Sequence, residues 1–287
     1  MKTVRTVEDL RAELRPSRLA GQTIGLVPTM GFLHEGHLSL IRRARAACDV
    51  VVMSLFVNPA QFDESADLEA YPRDERRDAA LAERAGVDVL FAPPADVVYP
   101  DGFTTTVRVT GPLTGSLEGA QRGADHFHGV TTVVTKLFAM VQPDVAYFGQ
   151  KDAQQSVVVR TAVRDLNLPV RVEVCPTVRE PDGLALSSRN VRLLGDDRRR
   201  ALALRRGLDA AEAAVAGGVR DADTIEKAAV AAMADLAVEP EYLAVVDPGT
   251  LAPLRVVDGT ALVVVAARVG PVRLIDNTVI DMLGSGA

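Results

Sequence analysis

The sequence predicts an α/β fold: a Rossmann-like, doubly wound parallel sheet followed by a smaller C-terminal α+β domain. Three observations carry that prediction. Apolar runs of strand length alternate with helix-length runs through the first two thirds of the chain, which implies parallel strands with helices on both faces. The composition changes after Asn190, where Ala/Arg/Leu-rich helical patterns precede a final group of strands. Strand-to-helix junctions in the first part carry glycine beside polar or charged residues, and open α/β sheets bind ligands beyond the carboxyl ends of their strands.

The elements follow in order. Residues 24–27 (Ile-Gly-Leu-Val) read as a buried strand. From Leu38 the pattern is helical, with Leu38, Ile41 and Ala44 on one face and Arg42, Arg43 and Arg45 largely on another. Residues 50–57 are an apolar strand, and 74–85 a charged helix ended by Gly86. A short strand at 88–92 stops at Pro93-Pro94, and 104–109 alternates like a strand. The run 130–141 has helical length, 145–148 is a strand, 152–166 a helix and 170–175 a strand. Beyond Asn190, helices are expected at 196–216, broken by Gly217-Gly218, and at 222–236, with strands at 242–246, 261–266 and 272–275. The first domain is assigned to residues 1–185 and the second to 186–287, with the switch between Val178 and Asp196.

Composition narrows the function. Of 287 residues, 48% are hydrophobic and 24% charged, with a net charge of −6. That argues against nucleic acid as the main partner, since such binders carry a broad basic face. The arginines at 198, 199, 200, 205 and 206 lie beside Asp196 and Asp197 and read as a solvated helix face. Cys48 and Cys175 have no metal-ligand spacing and are expected buried and reduced. The N-terminus leads into charged residues rather than an apolar signal. The longest apolar runs are too short for a bilayer. A cytoplasmic enzyme acting on small molecules, with no membrane partner, is the expectation.

All four histidines fall in two pairs, His34/His37 and His126/His128. The first pair lies in Pro28-Thr29-Met30-Gly31-Phe32-Leu33-His34-Glu35-Gly36-His37, at a strand-to-helix junction. A helix N-terminus presents unpaired N–H groups and attracts phosphate, and a spacing of three puts both imidazoles on one side of a turn. A capped helix start and a metal pair are the alternatives, although zinc hydrolases space their helical histidines four apart. The junction Tyr147-Phe148-Gly149-Gln150-Lys151-Asp152 repeats the logic, with Asp152 a plausible N-cap, Lys151 a point charge and Gln155 one turn onward. Leu186-Ser187-Ser188-Arg189-Asn190 offers an oxyanion-binding loop. Asn58 and Gln61 could read hydroxyls or a carboxylate, with a plain Asn-Pro turn as the alternative. The polar stretch 118–128, containing Arg122, His126 and His128, reads either as a carrier of triphosphate or adenine contacts or as a mobile polar loop with a capping role.

These motifs, in this order, resemble the pantothenate synthetase (pantoate–β-alanine ligase) family of the wider HxGH nucleotidyltransferase superfamily. The matches are Pro-Thr-Met-Gly…His-Glu-Gly-His, Phe-Val-Asn-Pro…Gln-Phe, Tyr-Pro-Arg, His-Phe…Gly-Val, Phe-Gly-x-Lys-Asp, Pro-Thr-Val-Arg-Glu and Ser-Ser-Arg-Asn. They run from about Val27 to Asn190 and weakly on to Arg268 and Asp276-Asn277.

The resemblance implies that ATP and pantoate give pantoyl adenylate and pyrophosphate, and that β-alanine then displaces AMP to give pantothenate. It implies a cytoplasmic homodimer using Mg²⁺ with ATP, and a C-terminal domain acting as a lid. It assigns Met30, Gly31, Phe32, Leu33, His34, Glu35, Gly36, His37, Gly149, Gln150, Lys151, Asp152, Val178, Leu186, Ser187, Ser188 and Arg189 to ATP. Gln61 and Gln155 fall to pantoate, Gln61 also bordering the β-alanine path, and Asp78 to the neighbourhood of Mg²⁺. His37, His34 and Lys151 would offset charge developing on the phosphate oxygens, His37 being the best placed as a proton donor.

The chain departs from the family pattern at Gln150, where glutamate is usual, at Ala153, where an aromatic is usual, at Leu186 in place of methionine, and at Arg77, often an acid. The segment between Glu118 and His126 runs one residue longer than usual. Another adenylyl- or cytidylyltransferase, or a catalytically silent nucleotide-binding regulator, are the competing readings.

Overall fold

The computed structural model describes residues 1–62 and 68–282. The chain forms two compact units, one from Met1–Gly149 and Val158–Pro176, the other from Gln150–Val157 and the chain from Thr177 onward.

The first unit is built on a six-stranded parallel sheet. Its strands are β1 (Lys2–Val4), β2 (Ile24–Thr29), β3 (Val50–Leu55), β4 (Val89–Phe91), β5 (Val145–Gly149) and β6 (Arg171–Cys175), in the order β1-β4-β3-β2-β5-β6. The helices are α1 (Val7–Leu19), α2 (Glu35–Ala47), α3 (Glu75–Ala85), α4 (Ala124–Val141) and α5 (Ala153–Asp165), the last entering this unit at Val158.

Successive strand residues point to opposite faces, and here both faces are covered. Leu26, Val52 and Phe91 pack with Leu10 and Leu14 of α1 and Val134, Leu137 and Phe138 of α4. Their neighbours Val27, Val51, Met53 and Leu90 pack on the other face with Leu40, Ile41 and Ala44 of α2 and Ala82 of α3. Each large aliphatic side chain so buried contributes about 1.5–3 kcal/mol of transfer free energy. The chain runs outward from β2 to β3 and β4, then returns to the other side of β2 as β5 and β6. The order therefore reverses at β2/β5, where such sheets take their ligands.

The structure corrects several expectations. Residues 104–109 join no strand. The Val107 N–H donates to Thr132 Oγ1 (3.0 Å), and Thr131 Oγ1 donates to the Val107 carbonyl (2.5 Å), so hydroxyls of α4 supply what a strand partner would. Residues 118–128 are not a loop: Glu118–Arg122 is one short helix, and α4 starts at Ala124, which puts His126 and His128 on its first turns. β1 and α1 had no counterpart in the sequence reading.

The second unit holds α6 (Ala203–Ala216), α7 (Ala222–Ala234) and an antiparallel sheet of β7 (Pro240–Val246), β8 (Thr260–Val269) and β9 (Val272–Asp281), in that order. β8 and β9 pair without interruption from Thr260↔Asp281 to Val269↔Val272. One face of the sheet, with Val245, Val263, Val265 and Leu274, packs against Leu204, Leu208 and Ala211 of α6 and Ile225 and Ala229 of α7. Gly207 lets the helices approach, since a Cβ there would lie 2.8 Å from Met233 Cγ. The expected helix 196–216 is split into Gly195–Arg200 and α6. Its arginines are paired rather than merely solvated: Arg198 with Glu180 and Asp182, Arg200 with Asp197, Arg205 with Asp209 and Glu212. Both cysteines are buried and free, as expected. No described helix is long and apolar enough to cross a membrane.

Candidate functional site

In the first unit the site begins where β2 ends. Thr29 Oγ1 donates to the Ser54 carbonyl (2.7 Å) and accepts the Gly31 N–H (3.3 Å), closing the strand. Gly31 and Phe32 both have positive φ, 89° and 51°. A Cβ on Gly31 would lie 2.7 Å from Leu55 Cδ1, so the turn needs glycine for space as well as conformation.

Asp78, buried on α3, holds this turn. It accepts the N–H of Phe32 (2.6 Å) on one oxygen and of Leu33 (2.8 Å) on the other. Arg77 donates to the Leu33 carbonyl (3.0 Å) and to Asp78 (3.3 Å), and stacks its guanidinium 5.2 Å from the Phe32 ring centre. Asp78 and Ala82 are the buried residues of α3. An acid in phase with the buried face of a charged helix is the sequence signal that could have marked it as a structural clamp.

The turn delivers His34 to the N-cap of α2. His34 Nδ1 accepts the Gly36 N–H (3.2 Å), and His37 Nδ1 accepts the His34 N–H (3.3 Å). The two rings lie 4.1 Å apart at 41°. A nitrogen that accepts carries no proton, so each imidazole holds its hydrogen on Nε2. The capping reading of this pair is therefore borne out, with His34 and His37 both part of the cap. Glu35 is exposed and ion-paired with Arg42.

Beyond β3, the turn Pro59–Gln61 is organised by buried Asn58. Its Oδ1 accepts the Ala60 N–H (3.3 Å) and the Tyr99 hydroxyl (2.7 Å). Its Nδ2 donates to Gln61 Oε1 (3.0 Å) and to the Gly129 carbonyl (3.1 Å). This fixes the Gln61 amide with Nε2 toward Met30 Sδ (3.0 Å). His126 Nδ1 lies 2.8 Å from the Gln61 carbonyl, so one member of the second histidine pair also serves this turn, while His128 Nδ1 lies 3.1 Å from Asp125. Burial pushes the Tyr99 hydroxyl up to about 12, keeping it a donor to Asn58. Asn58 is thus more than an Asn-Pro turn, while Gly129, Tyr99 and Arg77 were not read as site residues at all.

In the second unit, Gln150–Asp152 forms one 3-10 turn that runs directly into α5 at Ala153. Asn277 of β9 donates through Nδ2 to the carbonyls of Gln150 (2.9 Å) and Lys151 (3.0 Å), and Gln150 Nε2 donates to Asn277 Oδ1 (3.0 Å). Arg179 makes a two-pronged pair with Asp276 (2.6 and 3.0 Å) and donates to the Gly183 carbonyl (3.1 Å). The Leu186 N–H donates to the Val178 carbonyl (3.0 Å), setting those two residues opposite each other. Ser187 caps the turn Ser188–Arg192 by accepting the Arg189 N–H (3.2 Å). Asn190 braces the same loop through Glu180 (2.9 Å) and the Ala185 carbonyl (3.1 Å). Gln155 is half-buried near the start of α5, and Ala153 is buried. Among the described residues, no three His, Cys, Asp or Glu side chains gather as a metal cage.

Comparison with known proteins is consistent across sequence and fold. A family model described as pantoate-beta-alanine ligase matches residues 2–279. The chain is 52% identical to pantothenate synthetase of Cereibacter sphaeroides over 92% of its own length and 94% of the relative's. It is 50% identical to that of Heliobacterium modesticaldum over 98% and 100%. The crystal structure of pantothenate synthetase from Thermus thermophilus aligns with a TM-score of 0.92 at 49% identity, covering 97% of this chain and 99% of the other. A pantoate-beta-alanine ligase from Francisella tularensis, solved with an ATP compound and β-alanine, aligns at 0.78 and 32% identity over 97% of each chain.

Proposed function

The chain belongs to the pantoate-beta-alanine ligase family, whose reaction is the ATP-dependent condensation of pantoate with β-alanine, and from that premise we propose how its own residues carry the two steps. In the first, a pantoate carboxylate oxygen attacks the α-phosphorus of ATP, the bond to the bridging oxygen breaks, and pyrophosphate leaves. In the second, the β-alanine amine attacks the acyl carbon of pantoyl adenylate, AMP leaves on its phosphate oxygen, and the nitrogen loses a proton. Water must be kept from the acyl phosphate between the steps.

The reciprocal His34/His37 cap carries this reading. It uses both Nδ1 atoms to cap the helix and so places the two ring hydrogens on Nε2, at the carboxyl end of β2, beside the reversal of strand order. Both imidazoles then act as oriented donors to phosphate oxygens as charge builds on them. His37 is assigned the principal catalytic role, with His34 and Lys151 supporting the negative charge. Met30, Gly31, Phe32, Leu33, Glu35 and Gly36, with Gly149, Gln150, Asp152, Val178, Leu186, Ser187, Ser188 and Arg189, are assigned to ATP. Gln61, oriented by Asn58, and Gln155 are assigned to pantoate, where neutral amides read hydroxyl and carboxylate without neutralising the nucleophile.

Mg²⁺ enters as part of the MgATP substrate, held by phosphate oxygens, as is usual for this small cation. Asp78 is assigned to the turn it grips. The enzyme is read as a cytoplasmic homodimer. The test is pyrophosphate release with ATP, Mg²⁺ and pantoate, with and without β-alanine. Release that needs pantoate, with pantothenate formed only when β-alanine is added, is the expected result. ATP binding without pantoate-dependent release would instead favour a silent nucleotide-binding regulator.

A further inference from the structure

Asn277 lies at the far end of the sequence from the motifs that identify the chain, yet it is one of the few polar side chains fully buried in the second unit. Its orientation is unambiguous. Carbonyl oxygens only accept, so the group facing the Gln150 and Lys151 carbonyls must be the amide nitrogen. Both of its hydrogens are then engaged. Its Oδ1 requires a donor, which Gln150 Nε2 supplies. A glutamate at 150 would have no such donor when ionised. Beside it, Asp276 accepts from the Asn277 N–H (2.8 Å) and locks Arg179, which also donates to the Asn277 carbonyl (3.4 Å). Asn277 thus holds the carbonyls on either side of the Lys151 Cα, while Asp276, through Arg179, braces the segment leading to Leu186–Arg189.

We propose that Asn277 is a positioning residue for Lys151 in the adenylation step, and that Gln150 keeps the Asn277 amide in the one orientation that grips both carbonyls. The proposal rests on the assignment of Lys151 above. Lysine is a point charge on a flexible stem, so its placement depends on the backbone that carries it.

The test is a double-mutant cycle on pantoate-dependent pyrophosphate release, using Lys151→Ala, Asn277→Ala and the double variant, with thermal melting of each. Lys151→Ala should lower kcat about 10²–10³-fold, the usual cost of losing one preorganised group that stabilises developing charge. Asn277→Ala should lower it about 10–100-fold, the usual cost of misplacing a catalytic group. In the Lys151→Ala background, adding Asn277→Ala should change kcat by no more than about threefold, because a residue acting through another has nothing left to position. Losses that multiply would overturn the proposal and leave Asn277 a structural residue. Full activity in Lys151→Ala would overturn the assignment of Lys151 itself, a distinct outcome. Should Asn277→Ala not fold, the cycle is run with Asn277→Asp and with Gln150→Ala, whose site is only half-buried, and the same non-additivity is required.

Discussion

His34 and His37 cap the same helix with each other's help: the His37 ring accepts the backbone N–H of His34, while the His34 ring accepts that of Gly36. Ser-x-x-Glu would perform the same capping, but would put an acidic group where the proposed function places a phosphate. Two imidazoles close the box with one nitrogen each and keep an N–H on the other.

Replacing His37 therefore has two separable effects. His37→Ala should lower the rate of pantoate-dependent pyrophosphate release about 10²–10³-fold through loss of an oriented donor. Loss of the cap should cost about 1 kcal/mol, lowering Tm by about 2–4 °C. His37→Gln, whose carbonyl oxygen can accept the His34 N–H, should recover much of the Tm but little of the rate. Initial rates and melting curves on the same samples separate the two.

Asp78→Asn tests whether Asp78 grips the Gly31–Leu33 turn or handles metal. The amide replaces one of two acceptors by a donor that faces a backbone N–H, and should cost about 1–3 kcal/mol. The turn that places His34 should loosen and kcat should fall about tenfold or more. The Mg²⁺ concentration giving half-maximal rate should stay unchanged. A rise in that concentration would reassign Asp78 as a metal ligand.

Gly129→Ala should act on Gln61 without touching it. A Cβ at 129 would stand 2.0 Å from the Ala60 carbonyl oxygen and 2.8 Å from the Gln61 nitrogen. The Pro59–Gln61 turn must move, at a strain cost of about 1–3 kcal/mol. If Gln61 holds pantoate, KM for pantoate should rise about tenfold while KM for ATP changes little. Equal changes in both would argue against that role.

Asp247 gives a pH signature for the second unit. Its carboxylate accepts the Thr250 hydroxyl (2.8 Å) and the N–H groups of Thr250 (2.7 Å) and Gly249 (3.0 Å). The Thr250 hydroxyl, then the backbone amides, hold its pKa below the ordinary 3.8. A carboxylate depressed in the folded state stabilises fully above its unfolded value, and that contribution is lost as pH falls through the folded one. Asp247→Ala should melt below the parent at pH 7, and the gap should close as both are titrated from pH 4 toward pH 2. A gap independent of pH would show that the turn depends on packing instead.

The alternation of β2, β3 and β5 with helices was legible because buried parallel strands and amphipathic helices leave opposite periodicities in the chain. The His34/His37 junction, the turn carrying Lys151 and the Ser187–Arg189 turn were legible as local structure because each is shaped by its near neighbours in the chain. The strand expected at 104–109 failed because alternation alone cannot tell that hydroxyls on α4, rather than another strand, satisfy Val107. Asp78 and Asn277 were beyond local reading for a related reason. Their partners are backbone amides and carbonyls 45 and 46, and 126 and 127, residues away. The sequence by itself determined the fold class and the local motifs to which the proposed chemistry is assigned. Only the tertiary structure decided which buried polar side chains hold those motifs in place, because any backbone N–H or C=O looks alike in sequence and is chosen by proximity in the folded chain.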